Sequence, residues 1–187
     1  MTGIEASIGG ALVMAAVSTL GDFIWANWIT RHHMLFGLTH GALLFLCMGL
    51  YLGAIARKPA AGAIAGAFIG ATAAGSYYLL APLAGYSVMF FVWIALWAAL
   101  AALHRWLQRE RTAVRQAFIR GSAAALLSGL AFYAVSGIWR PFNPHGWDYA
   151  VHFLSWTAAF LPGFAALMVR RSASAIRSNI TARPASQ

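Results

Sequence analysis

Six long apolar stretches succeed one another along the chain, separated by short polar clusters, and none shows a two-residue alternation of apolar and polar positions. They run over Ile8–Trp28, Met34–Ala56, Ala60–Leu80, Tyr86–Leu103, Gly121–Ile138 and Trp147–Val169. About 20 apolar residues in a helix cross a hydrocarbon core of roughly 30 Å. In lipid, backbone N–H and C=O groups must be satisfied within the segment, which a helix achieves and an unpaired strand does not. A barrel strand would carry the alternation that is missing here. The pattern therefore predicts an all-α fold, a polytopic bundle of six transmembrane helices. The short connections predict a single domain over residues 1–170, with 171–187 as a basic tail.

Composition sharpens this picture. Hydrophobic residues make up 61% of the 187 residues and charged residues 9%, against roughly 25% charge in soluble domains. The distribution of the thirteen Lys and Arg residues then orients the bundle. Alternate connections hold Arg57 and Lys58, then Arg105, Arg109, Arg111, Arg115 and Arg120, then Arg170, Arg171, Arg177 and Arg183 in the tail; the other side keeps only Arg31 and Arg140. By the positive-inside rule both termini are expected in the cytoplasm, in a multi-pass protein of a bacterial-type inner membrane. The net charge of +9 is on this reading a topological signal, with some capacity to hold anionic lipid headgroups. It does not indicate a nucleic-acid partner. The stretch from His104 to Arg120, in which Trp106, Leu107, Val114 and Phe118 alternate with arginines, reads as a solvated loop or as a helix extension lying in the interface.

Met1 to Ser7 carries no basic residue and the first run lacks a small-residue cleavage site, so the first helix is expected to stay in place. Cys47 stands alone inside the second run, which excludes an intrachain disulfide. The Asn179-Ile180-Thr181 triplet falls on the expected cytoplasmic side, where N-glycosylation does not occur.

Small residues recur every four positions at Gly62, Gly66, Gly70 and Ala74, and again at Gly121, Ala125 and Gly129. Such stripes let helix backbones approach closely in lipid. Packing within the chain is the expected use, a homo-oligomer seam the alternative. Pro162 lies within the sixth run beside Gly163 and is expected to kink it. Trp25, Trp28, Trp139 and Trp147 gather at the arginine-poor ends, as interfacial anchors do. Trp93, Trp97 and Trp156 fall deeper, as packing residues or as walls of an apolar pocket.

An ionisable group near the bilayer centre costs roughly 2.5 to 3.5 kcal/mol on insertion scales, so each one needs an explanation. Asp22, His40 and His152 all fall about 8 to 9 Å beneath the arginine-poor boundary at 1.5 Å per residue. Equal depth is a condition for their meeting, while rotation about each helix axis is left open. Asp148, four residues before His152, is its expected local partner. Ser18, Tyr77, Tyr78, Tyr86, Tyr133 and Ser136 lie near the same level, and a pocket opening toward the arginine-poor face with an aromatic interior and a polar rim would suit these groups. Flanked by Gly37 and Gly41, His40 offers an open backbone to a planar ligand. One reading therefore makes His40 and His152 the axial ligands of a haem b, and another makes Asp22, His40 and His152 a metal site. His32, His33, His145 and His104 have no partner motif. Neither a nucleophile elbow, nor a phosphate loop, nor a pair of carboxylates is found, so no catalytic residue is assigned and a non-enzymatic role is expected.

The second half, with Ile94 to Trp97, the arginine-rich loop after it, Phe132-Tyr133 to Gly137-Ile138-Trp139, and Tyr149 to Ser155-Trp156 to Gly163, resembles the Insig family of six-helix membrane proteins. The resemblance implies a non-enzymatic protein that binds a sterol or diacylglycerol-like lipid between its helices. It covers about half the chain, and no binding residue is transferred from it. The leading expectation is a membrane protein that binds a lipid or other hydrophobic small molecule, with Asp22, His40, Tyr133 and His152 as polar contacts. The alternatives are a haem-bearing redox or sensory protein and a small proton-coupled transporter.

Overall fold

Each apolar run becomes one helix in a computed structural model of the chain, which describes residues 3–29, 31–85, 87–110, 113–136 and 144–168. The helices are α1 (Gly3–Trp28), α2 (His33–Ile55), α3 (Pro59–Ala84), α4 (Ser87–Leu107), α5 (Val114–Ser136) and α6 (Asp148–Met168). All six are long and apolar enough to cross a membrane. The protein is thus an all-helical, multi-pass membrane protein. Tyr86, Ile138, Trp139, Val169, the tail 171–187 and its Asn-Ile-Thr triplet lie outside the described residues.

Local chemistry sets the boundaries. Pro59 opens α3 at its first turn, where its missing N–H removes no helical bond. Gly85 ends that helix in a left-handed conformation, φ 63°, and the Ser87 hydroxyl donates to the Ala84 carbonyl at 2.6 Å. His32, Arg57 and Arg109 also turn through positive φ, which lets connections of a few residues reverse the chain. The arginine-rich stretch resolves into helix on both sides of a short turn: α4 runs on through His104 and Arg105, and α5 starts at Val114, seven residues before the apolar run itself. An Arg120–Glu110 ion pair of 3.6 Å closes this corner.

Helices neighbouring in sequence are neighbours in space, and α6 returns to α1, so the six close into a ring; α4 also reaches across to α2 and α6. The middle is filled by Trp97, Phe160, Phe164, Met14, Met48 and Leu100, all at most 1% exposed. Large rings enter where glycines make room. Trp97 lies against Gly163 so closely that a Cβ there would collide with the indole, and the Phe164 ring would stand 2.7 Å from a Cβ on Gly10. α6 is one helix across Pro162, and the residue after that proline is the one that admits Trp97.

The tightest seam joins α2 and α3. A Cβ on Gly62 would strike the Gly49 carbonyl oxygen, one on Gly66 the Phe45 carbonyl and one on Gly70 the Gly41 carbonyl. The stripe expected on α3 is therefore spent inside the chain against a second stripe, Gly41, Gly49 and Gly53, on α2. The stripe on α5 divides. Gly121 sits on the α4 backbone, where a Cβ would meet the Ala98 Cα at 2.5 Å, but Gly129 has only the Trp93 indole at 3.7 Å and faces open space.

Gly66→Leu is expected to destabilise the protein by about 3 kcal/mol through overpacking. Gly75→Ala, whose Cβ meets only the Leu38 Cδ2 at an ordinary 3.6 Å, should be neutral or stabilise by up to about 1 kcal/mol from helix propensity. Thermal unfolding of both variants in detergent checks the contrast.

Candidate functional site: an aspartate inside the bundle

α1 carries one acidic residue away from its ends, Asp22, six residues before Trp28. Its Oδ2 accepts a hydrogen bond from Trp156 Nε1 at 2.7 Å and is paired with His152 Nδ1, also at 2.7 Å. Both partners come from α6, four residues apart and hence on one helical face. His152 is 2% exposed. At this depth little water competes for the carboxylate, so ring N–H donors do what solvent does for a surface acid.

His40 approaches the same point from α2. Its imidazole lies on the backbone of Gly21, where any Cβ would run into the ring, and is stacked on Phe36 with centroids 5.7 Å apart and planes 12° from parallel. Asp22, the next residue, is within electrostatic reach of it. Two buried hydroxyls, Ser18 on α1 and Ser155 on α6, have no hydrogen-bond partner among the described residues. They lie one turn further from the arginine-poor end, on the faces that carry Asp22 and His152. Nearer that end, Asn27 Nδ2 donates to the Tyr149 hydroxyl at 3.0 Å. Asp22 and His152 are thus in direct contact between α1 and α6, while His40 of α2 packs on the α1 backbone beside Asp22.

Tyr133 stands apart. It lies on α5, largely exposed and stacked on Phe90 at 6.2 Å, and it lines a cleft of about 220 Å³ with Met89, Phe90, Trp93, Gly129, Phe132 and Trp156. The cleft and the aspartate cluster share one residue. The Trp156 ring forms part of the cleft wall, packed on Phe132 at 5.0 Å, while its N–H points away to Asp22.

The local partner expected for His152 is corrected. Asp148 Oδ2 accepts the backbone N–H of His145 at 3.0 Å, because a carboxylate in the first turn of a helix serves the unpaired amides there. The His152 ring turns instead to Asp22. The indole of Trp156 is the contact that sequence reasoning missed. Its signal was available in the spacing, since a residue four after His152 must share the face that meets α1.

Of the two metal-centred readings, the three-ligand site of Asp22, His40 and His152 is not formed among the described residues. α2 and α6 make no backbone contact with each other. α1 lies at both histidines, with Gly21 against His40 and Asp22 against His152. Among the described residues no group of three or more His, Cys, Asp and Glu side chains could hold a metal ion. What Asp22 and His152 offer chemically is a carboxylate in contact with an imidazole, two groups able to exchange protons.

Gly21→Ala should lower stability by about 1–3 kcal/mol by displacing the His40 ring, and adding His40→Ala should restore most of that loss. Unfolding of the single and double variants in detergent tests the contact; equal stability of Gly21→Ala and wild type would contradict it. Comparison with protein-family models, with curated proteins and with solved structures finds no match to this chain.

Proposed function

We propose that the protein binds the apolar chain of a membrane lipid, or a slender lipid-like molecule, in the cleft between α4, α5 and α6, without transforming it. The observation that carries this reading is the cleft itself. Its lining is aromatic and aliphatic, and it opens sideways past Met89, Phe90 and Tyr133, each more than half exposed. Both helices that form its mouth are among those long enough to span a bilayer, so the opening faces acyl chains. At about 220 Å³ the cleft is smaller than the roughly 300–1,000 Å³ of pockets that enclose drug-sized ligands. That size favours a single chain over a fused ring system such as a sterol. Among the lining residues the Tyr133 hydroxyl and the indole N–H groups are the polar side-chain groups, and no acid, base or nucleophile of catalytic type stands beside the ligand's path. Tyr133 is near the arginine-poor end of α5, where its hydroxyl can meet a lipid headgroup. Nothing in the proposal depends on the Insig likeness.

The basic residues support an orientation. Lys58, Arg105 and Arg109 line one hollow with Trp106 and Glu110; Lys58 Nζ donates to the Leu107 carbonyl at 3.0 Å and lies 5.6 Å from the Trp106 ring centroid. Positive charge beside an interfacial indole suits the anionic headgroups of a cytoplasmic leaflet. The arginine-rich end with both chain termini then faces the cytoplasm, and the cleft opens into the opposite leaflet.

The test uses a phosphatidylglycerol with a photoactivatable diazirine in one acyl chain, reconstituted with the full chain. Adducts are expected to concentrate on Met89, Phe90, Phe132 and Tyr133. Gly129→Phe, which fills the cleft, should reduce them about tenfold, equivalent to about 1.4 kcal/mol of binding. Adducts spread evenly over lipid-facing residues such as Phe68 and Leu79 would overturn the proposal.

A further inference from the structure

The one side chain common to cleft and cluster has a consequence for how the cleft is controlled. We infer that Asp22, His152 and Trp156 form a proton-binding site inside the membrane, and that loading it with a proton weakens the hold of the neighbouring cleft on its lipid chain. The inference rests on the cleft reading above and adds its regulation.

The cluster provides for both protonation states of Asp22. As a carboxylate, its Oδ2 takes the Trp156 indole N–H and pairs with the His152 ring nitrogen, each at 2.7 Å. As a carboxylic acid it becomes a donor and needs an acceptor. Ser18, four residues earlier on α1, and Ser155, three residues after His152 on α6, are two buried hydroxyls one turn deeper in the bundle, and neither makes a hydrogen bond to Asp22 or to any other described residue in this arrangement. A buried hydroxyl without a partner costs about 1–3 kcal/mol, and a protonated Asp22 that rotates toward one of these two gives it a donor to accept. The exchange balances simply: hydronium from the arginine-poor side transfers one proton to the carboxylate, leaving water and the acid, and no bond other than O–H is made or broken. The Asp22 side chain is 23% exposed, which gives the proton an entry.

The groups surrounding this site are few. α2 contributes His40, packed on Gly21. α6 contributes His152, with Tyr149 one turn nearer its start and Asp148 held by the His145 amide. α5 presents Tyr133 on the far side of the cleft, and α4 presents Met89, Phe90 and Trp93, none of which titrates.

Coupling to the cleft runs through the indole. A hydrogen bond to a charged acceptor is roughly twice as strong as one to a neutral acceptor. The ionised carboxylate therefore fixes the Trp156 ring against Phe132 as a firm wall; neutralising it releases that wall. The sign follows: lipid is held when Asp22 is ionised and let go when it is neutral.

The experiment measures cleft adducts of the diazirine phosphatidylglycerol in vesicles between about pH 4 and pH 8, alongside infrared difference spectra of the same protein. The expected result is an adduct yield about tenfold lower at the acid end, with a carboxylic-acid C=O band appearing over the same interval. Asp22→Asn should give the low yield at every pH and lack the band. His152→Gln is the second variant if Asp22→Asn does not fold, and should shift the midpoint of both signals together. A yield independent of pH, or a pH dependence that survives in Asp22→Asn, would overturn the inference while leaving the cleft reading intact. Absence of cleft adducts at every pH would instead defeat the cleft reading, whatever the infrared band does.

Discussion

An acidic side chain inside an apolar helix has to be matched by polar groups from elsewhere, and the arginine-poor half of this bundle is arranged around meeting that requirement for Asp22. Two donors on one turn of α6 converge on a single carboxylate oxygen, which fixes both the rotation of α6 and its height against α1. Because His152 and Trp156 are thereby committed, the rest of the α6 surface is committed too. Ala159 falls where its carbonyl accepts the Ser128 hydroxyl of α5 at 2.5 Å, Gly163 falls beneath Trp97, and Phe164 falls over Gly10. The aspartate thus couples a local polar contact to the packing of the middle of the ring.

The other half of the ring is held by a different physics. α2 and α3 meet through glycines, backbone against backbone, with the Tyr78 hydroxyl donating to the His33 carbonyl at 3.4 Å toward the arginine-poor end. In lipid, where burying apolar surface gives no driving force between helices, close contact of this kind supplies dispersion that bulky side chains would prevent. The α1–α2 seam lies between these two regimes. It is bridged by side chains: His40 on Gly21 and Trp25 against Phe36 toward one end, and the Tyr51 hydroxyl donating to the Ala6 carbonyl at 2.7 Å toward the other. It is also the seam beside Asp22.

Much of this was legible in the sequence because its causes are one-dimensional. Run length and the lack of charge gave the six helices, and counting residues from the arginine-poor boundary gave Asp22, His40 and His152 a common depth. Helix rotation was not legible, since it is decided by how all six surfaces pack at once. That is why His152 turned to Asp22 on a distant helix and not to Asp148 on its own. The same freedom placed Tyr133 on the cleft, away from the pair formed by Asp22 and His152. The four-residue stripe on α5 shows the limit from another side: Gly121 and Gly129 look alike in sequence, yet one is a close backbone contact and the other is an opening.

The central claim is that Asp22 is tied to α6 by its own partners, and a double-mutant cycle tests it most directly. Unfolding free energies of wild type, Asp22→Asn, His152→Gln and the double variant in detergent should give a coupling energy of about 2 kcal/mol or more, as for a desolvated pair in which losing one partner strands the other. A coupling below about 0.5 kcal/mol, within the range of independent sites, would contradict the account.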